Sequence, residues 1–131
     1  MFVDSSALVA IVSAEPEALV FSRKIGSAKS ALISPIVLYE SSVVIARLKK
    51  KSVRFARKSI EALLARAGVA SVPIDPNIGA LALDAFHRYG KGRHRASLNM
   101  GDCFSYACAR AHKAPLLFKG DDFPLTDIEV A

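Results

Sequence analysis

The chain has 131 residues, of which 52% are hydrophobic and 23% charged, and its 18 Lys and Arg against 12 Asp and Glu give a net charge of +6. This length suits one domain over residues 1–131, and the apolar content argues against disorder. Because no apolar run is long enough to span a bilayer and no secretory signal is visible, we expect a cytoplasmic protein without membrane contact.

The first half of the chain alternates short apolar segments with helical patterns. Asp4-Ser5-Ser6 offers capping side chains after the opening apolar residues, and Pro16 suits a first helical turn. Ser34-Pro35 marks the start of a helix whose apolar positions share one face. In chain order we predict a strand at 2–3, helices at 7–12 and 16–25, a strand at 31–34 and a helix at 35–50.

The second half continues this alternation. Ser52 can cap a helix that stops at Gly68, which would complete an αα-hairpin with a basic connection. Gly101-Asp102 opens a later helix that carries the two cysteines, Cys103 and Cys108, about 140° apart, so we expect both to be reduced. In chain order we predict a helix to 68, a strand at 69–74, a helix at 76–90, a loop at 91–100, a helix at 101–112 and strands at 116–118 and 128–130.

This order of elements predicts an α/β fold. Parallel strands joined by helices form a sheet that is covered on both faces. We therefore expect a three-layer sandwich with a short parallel sheet of four to five strands and helices on both sides.

Four carboxylates follow the predicted strands: Asp4, Glu40, Asp102 and Asp121. Ligands of open α/β sheets bind at the carboxyl ends of the strands, where these acids would repel each other unless they shared a cation. Oxygen donors alone favour Mg²⁺, or Mn²⁺, over zinc. Each acid also has a purely structural interpretation, since Asp4 and Asp102 could simply serve helix N-termini. Asp122 remains an alternative to Asp121.

Basic residues are concentrated in two segments. Seven Lys and Arg fall within residues 47–58, which contain no acid, and Lys91, Arg93 and Arg95 lie in the long loop before Asp102. This asymmetry favours a polyanionic partner, although a solvated helix face and a flexible loop would look the same in sequence.

The segments that carry the acids resemble those of the PIN domain family, and more closely the VapC toxins of type II toxin–antitoxin systems. The resemblance covers essentially the whole chain and rests on residues 2–10, 34–40, 88–107 and 115–128. It implies a single PIN-like domain that hydrolyses RNA with a divalent metal, as the toxin of a pair with a VapB-type antitoxin. It also implies a homodimer or a larger toxin–antitoxin assembly.

The resemblance further implies which residues form the site. Asp4, Glu40, Asp102 and Asp121 would line it, with Asp4 and Asp102 as the principal metal ligands. The physical requirements of phosphodiester cleavage agree, since a carboxylate-bound Mg²⁺ can activate water and neutralise charge at phosphorus. Ser5, Lys91, Arg93 and Arg95 are the residues that we predict to hold RNA phosphates.

Two other functions would also suit a parallel sheet with acids at its edge. A non-catalytic RNA-binding or antitoxin-binding module predicts that acid substitutions leave the biological effect intact. A receiver-like phosphoacceptor domain would need paired acids after the first strand, whereas this chain has Asp4-Ser5 there. The endoribonuclease is the function that we expect.

Overall fold

Four parallel strands form the single sheet of the computed structural model, which describes residues 1–131. They are β1 (Phe2–Val3), β2 (Ala31–Ile33), β3 (Val69–Ser71) and β4 (Leu116–Leu117). The strand order is β3–β2–β1–β4, and Phe2 of β1 lies opposite Leu32 on one side and Leu116 on the other. The predicted α/β fold with a parallel sheet is confirmed.

Six α-helices connect the strands, and a 3₁₀ turn follows β4. They are α1 (Ser5–Val12), α2 (Ala18–Ser27), α3 (Pro35–Lys49), α4 (Val53–Ala67), α5 (Pro76–Tyr89) and α6 (Met100–Ala111), and the 3₁₀ turn is Phe123–Leu125. Both residues of β1 and both of β4 are buried. Because successive strand residues point to opposite faces, the sheet is covered on both sides. None of the helices has the length and apolarity that crossing a bilayer requires.

Capping residues fix where the helices begin and end. The Ser34 hydroxyl accepts a hydrogen bond from the backbone N–H of Val37 at the start of α3, and the Ser52 hydroxyl does the same at the start of α4. Gly68 ends α4 in the left-handed conformation, which glycine adopts without steric cost. The capped pair α3 and α4 is the predicted helical hairpin.

The core is made of apolar residues from every layer. Its largest fully buried side chains are Phe2, Leu8, Ile33, Ile45, Ile60, Leu98 and Leu116. Burying each contributes roughly 1.5–3 kcal/mol relative to leaving it in water. Cys103 and Cys108 are free and buried, and burial raises the pKa of each thiol to about 11. They are reduced core residues, as predicted.

The sequence prediction and the structure differ most at three elements. The predicted strand 69–74 ends at Ser71, because Pro73 has no N–H to donate to a sheet. The helix predicted at 16–25 lies at Ala18–Ser27. The predicted fifth strand is absent: residues 128–130 contribute only one isolated bridge, Leu116 to Val130. That bridge nonetheless pairs the end of the chain with β4.

The strand order reverses at β1. The chain passes from β1 outward to β2 and β3, and then returns to place β4 on the other side of β1. Ligands of open α/β sheets bind at such a switch point, beyond the carboxyl ends of the two strands. In this fold the switch point lies just beyond Val3 and Leu117, the last residues of β1 and β4.

Candidate active site

Asp4 follows β1 directly and is 3% exposed. It is the N-cap of α1: its Oδ2 accepts hydrogen bonds from the Ser6 backbone N–H at 2.9 Å and from the Ser6 hydroxyl at 2.6 Å. The capping role therefore falls to Asp4 itself and not to Ser5 or Ser6. A buried carboxylate fixed in this way keeps one orientation at the sheet edge.

The other oxygen of Asp4 is fixed by α6. The Ser105 hydroxyl is buried and donates a hydrogen bond of 2.6 Å to Asp4 Oδ1. Ser105 lies three residues after Asp102 on the same helix, so the two side chains share a helix face. This bond brings the start of α6, and with it Asp102, to the end of β1.

Asp102 is the third residue of α6 and forms a capping box with Asn99. Its Oδ2 accepts from the Asn99 backbone N–H, and its own N–H donates to Asn99 Oδ1, both at 2.9 Å. The pKa of Asp102 is raised to about 6, first by burial and then by the negative charges of Asp4, Asp122 and Glu40, against the lowering effect of the Asn99 bond. The charge of Asp102 is therefore disfavoured until a cation is near.

Glu40 extends from the second turn of α3 and lies against the backbone of Gly101. A methyl group in place of the Gly101 hydrogen would overlap the Glu40 carboxylate. Burial raises the pKa of Glu40, the nearby Ser5 hydroxyl lowers it, and the charge of Asp4 raises it further. The missing side chain at Gly101 is thus what lets the Glu40 carboxylate lie beside Asp102.

Asp121 and Asp122, the two acids after β4, are both exposed but differ in their effect on the pKa of Asp102. The negative charge of Asp122 contributes to the raised pKa of Asp102, whereas that of Asp121 does not. The sequence analysis preferred Asp121 as the fourth acid. The structure brings the charge of Asp122 close enough to contribute to the raised pKa of Asp102, and Gly120 adopts a φ of 118° just before the pair. No comparable link joins Asp121 to the other three acids.

The basic loop before α6 is anchored at its base. Gly90 bridges to Leu98, and the N–H of Lys91 donates to the Leu98 carbonyl at 2.9 Å. Leu98 is fully buried, while Lys91, Arg93 and Arg95 are exposed and make no ion pair. The loop therefore presents three cations without an acidic partner, one of which, Arg93, lies 5.7 Å from the centroid of the Phe86 ring. Its fixed base runs directly into Asn99 and Asp102. Ser5, by contrast, is half-buried and directed to Glu40.

A hydrogen-bond network that the sequence analysis did not predict supports the site. The Lys119 backbone N–H donates to the Ser6 hydroxyl at 2.9 Å, which ties the end of β4 to the Asp4 cap. The Lys119 ammonium pairs with Glu15 at 2.5 Å and Glu17 at 2.9 Å, so it adds no free cation to the edge. Of these supporting residues, only Ser105 had a signal in the sequence, its helical spacing from Asp102.

The donor chemistry of the site suits a hard divalent cation. Every candidate ligand is a carboxylate oxygen, and the pKa values of Asp102 and Glu40 are raised partly by neighbouring negative charge, which a cation would relieve. No three His, Cys, Asp or Glu side chains are close enough in this conformation to hold one ion together. The carboxylates therefore affect each other's charge across the sheet edge but do not converge on one point. In the kind of donor atom they offer, the residues fit a magnesium-type site.

The sequence of the chain matches one family of known proteins. The sequence model of the PIN domain matches residues 1–129. The chain is similar to a protein named Ribonuclease VapC from Mycolicibacterium smegmatis, with 42% identity over 131 residues that cover 98% of this chain and 97% of the relative.

Solved structures share the fold at lower sequence identity. VapC20 of Mycobacterium tuberculosis, described as a sarcin-ricin loop cleaving toxin, superposes with a TM-score of 0.71 at 19% identity and covers 98% of this chain and 97% of its own. A toxin–antitoxin complex from Klebsiella pneumoniae contains a chain with a TM-score of 0.72 at 18% identity, covering 99% of this chain and 95% of that one. At these identities the likeness concerns the fold.

Proposed function

The chain belongs to the PIN domain family, and from that premise we propose that it is an endoribonuclease that acts as the toxin of a type II toxin–antitoxin pair. The observation that supports this most is the pKa of Asp102 at the switch point of the sheet. It is raised to about 6, first by burial and in part by the charges of Asp4, Asp122 and Glu40. Asp4 and Asp102 also cap helices, but a pKa that is raised by burial and by neighbouring carboxylates is typical of functional sites.

The cofactor that we propose is Mg²⁺, with Mn²⁺ as a substitute. Asp4 and Asp102 would hold it, and Glu40 and Asp122 would complete the site directly or through water; Asp121 is the weaker candidate for the fourth position. When bound, such a cation neutralises charge on the scissile phosphate and makes an attacking water more acidic.

The chain's own residues have separate tasks in this proposal. Ser6 and Ser105 hold both oxygens of Asp4 in place, so this carboxylate needs no reorganisation when a ligand arrives. Glu40, whose pKa is raised by burial, can take up the proton of the attacking water. Lys91, Arg93 and Arg95 bind phosphates on either side of the cleaved bond.

Three partners follow from this function. RNA is the substrate. We propose that the protein acts on it in the cytoplasm. A VapB-type antitoxin is the inhibitor, as the toxin–antitoxin complex of similar fold suggests. The third partner is a second copy of the chain, for which a groove of about 260 Å³ between α5 and α6 offers an apolar surface that includes Leu83, 72% exposed, and Met100, 68% exposed.

The test is cleavage of a structured RNA in Mg²⁺ or Mn²⁺ by the parent and by Asp4→Asn and Asp102→Asn. Asp84→Asn is the matched control, since Asp84 is an exposed acid of α5 outside the site. We expect cleavage by the parent and the control and a loss of at least 100-fold in the two site variants. Equal activity in all four proteins would rule out the site, and unchanged growth inhibition by both site variants would favour a non-catalytic binding module.

A further inference from the structure

The net positive charge of this chain lies on the helical hairpin of α3 and α4. Between Glu40 and Asp75 there are eight Lys and Arg and a single acid, Glu61, which gives a net charge of +7. The rest of the chain holds ten Lys and Arg against eleven acids, a net charge of −1. The hairpin, and not the chain as a whole, is therefore the cationic part of the molecule.

The cations at the tip of the hairpin are exposed and mostly unpaired. They are Arg47, Lys49, Lys50, Lys51, Arg54, Arg57 and Lys58. Only Arg57 forms an ion pair, with Glu61 at 2.8 Å. Arg54 lies in the first turn of α4, at the positive end of the helix dipole, where a cation is unfavourable and no acid compensates. Arg47 and Lys49 suit the negative end of α3, but helix stability does not account for Arg54, whereas an external polyanion would.

Two aromatic side chains are exposed on the same hairpin. Phe55 is 51% exposed, and the Lys51 ammonium lies 5.8 Å from the centroid of its ring. Tyr39 is 71% exposed and is the neighbour of Glu40 in α3. Aromatic faces beside cations are the surface on which unpaired nucleobases stack while their phosphates are neutralised.

The helix geometry connects this surface to the acidic site. Tyr39, Val43 and Arg47 are spaced by four residues, so they lie along one face of α3, and all three are exposed. Lys49 follows Glu40 by nine residues, which corresponds to a rise of about 13 Å along the helix. A strand of nucleic acid places several phosphates over that length.

From these observations we propose that the outer face of the α3–α4 hairpin is a second RNA-binding surface, at which Tyr39 and Phe55 stack on unpaired bases and the tip cations neutralise phosphates. The inference rests on the proposed ribonuclease function, which it deepens by assigning a surface outside the sheet edge to the unpaired part of the RNA. Because the carboxylates at the sheet edge repel phosphate, the affinity for RNA has to come from such cationic surfaces outside the edge.

The experiment measures RNA affinity in EDTA, so that no cleavage interferes. The probes are a single-stranded 20-mer RNA and the duplex made from it and its complement. Phe55→Ala removes a stacking face, with Leu19→Ala, another exposed apolar residue, as its control. Arg54→Gln removes a cation, with Arg66→Gln, at the other end of α4, as its control. Circular dichroism verifies that each variant is folded.

We expect Phe55→Ala to bind the single strand roughly 5- to 150-fold more weakly and the duplex as well as the parent does. Arg54→Gln should weaken binding to both probes and lower the slope of log K against log salt by about 0.7–1. The two controls should behave as the parent.

Parent-like affinity of both Phe55→Ala and Arg54→Gln for the single strand would overturn the inference, even if the parent cleaves RNA in Mg²⁺. If the two variants kept parent-like affinity for RNA but bound a protein partner more weakly, the face would be a protein-docking surface, and the inference would be overturned equally. If instead the parent cleaves no RNA but the two variants lose affinity, the proposed ribonuclease function fails while the RNA-binding surface stands.

Discussion

The Ser105 hydroxyl donates a hydrogen bond of 2.6 Å to Asp4 Oδ1 across a separation of 101 residues. This bond lies in the buried interior and joins the end of β1 to the first turns of α6. Because Ser6 occupies the other oxygen, the Asp4 carboxylate is held at both ends. Its position at the sheet edge is thus determined by residues that would themselves touch neither metal nor RNA.

Replacing Ser105 with Ala should weaken metal binding without unfolding the protein. Supporting hydrogen bonds to metal ligands are typically worth 10- to 100-fold in metal affinity or activity, and we expect a loss in that range. Calorimetric titration with Mn²⁺ measures it. Ser105→Thr, which keeps the hydroxyl, should recover most of the affinity, and Ser59→Ala, which removes an exposed hydroxyl bound to a backbone carbonyl, is the control. Mn²⁺ affinity of Ser105→Ala equal to the parent's would contradict a positioning role.

Asp102→Asn should make the metal-free protein more stable at neutral pH. The folded-state pKa of about 6 lies above the unfolded value of 3.8, so the folded protein binds the extra proton, and stability falls as pH rises from about 4 to about 6. Above pH 6 the charged carboxylate destabilises the fold by about 1–2 kcal/mol, after a discount for its partial exposure. Asn removes that charge and can still accept the Asn99 hydrogen bond.

Urea unfolding of parent and Asp102→Asn in EDTA at pH 7.5 and pH 4 measures this difference. We expect the variant to be more stable at pH 7.5 and the difference to vanish near pH 4, where Asp102 is protonated in the folded parent. Adding Mn²⁺ at pH 7.5 should stabilise the parent but not the variant. A less stable variant at pH 7.5 would show that the Asp102 charge is already compensated without a cation.

The adjacent acids Asp121 and Asp122 provide a matched pair for the fourth position of the site. Because only the charge of Asp122 reaches Asp102, we expect Asp122→Asn to lower kcat/KM for RNA cleavage by at least 10-fold and Asp121→Asn by less than 3-fold. Both side chains are exposed, so neither change should alter stability by more than about 0.5 kcal/mol. The reverse order of effects would restore the assignment made from sequence.

Gly101→Ala tests the contact between α6 and the Glu40 carboxylate. The added methyl group would overlap that carboxylate, which can swing away at little cost because it is the end of a flexible side chain. We therefore expect a folded protein whose cleavage rate is lowered by about 10-fold or more. Gly79→Ala is the matched control, since it too lies within a helix but its methyl group would meet no atom within 4 Å.

For that control, thermal unfolding should give a stability gain of about 0.5–1 kcal/mol, the usual advantage of Ala over Gly in a helix, with unchanged cleavage. A cleavage rate of Gly101→Ala equal to the parent's would mean that the position of Glu40 beside α6 is irrelevant to activity.

The sequence determined the architecture because its signals are local. Capping residues such as Ser34, Ser52 and Gly68 mark helix ends within a few positions, and apolar strands between helices leave a parallel sheet as the packing solution. The same order of elements placed acids at one edge of the sheet, where the charges of Asp4 and Glu40 act on Asp102 although no three acidic side chains converge on one point. A fifth strand was wrongly predicted, because an apolar segment near the end of the chain does not by itself reveal how much of it will pair.

Only the tertiary structure decided how the site is held. The Ser105 bond joins two segments about a hundred residues apart in sequence, and the effect of the Asp122 charge on Asp102 depends on how the chain folds after β4. The space that Glu40 occupies exists because Gly101 of another helix has no side chain. Contacts of this kind leave no periodic pattern in a sequence, since they arise from the packing of distant elements and not from local backbone preference.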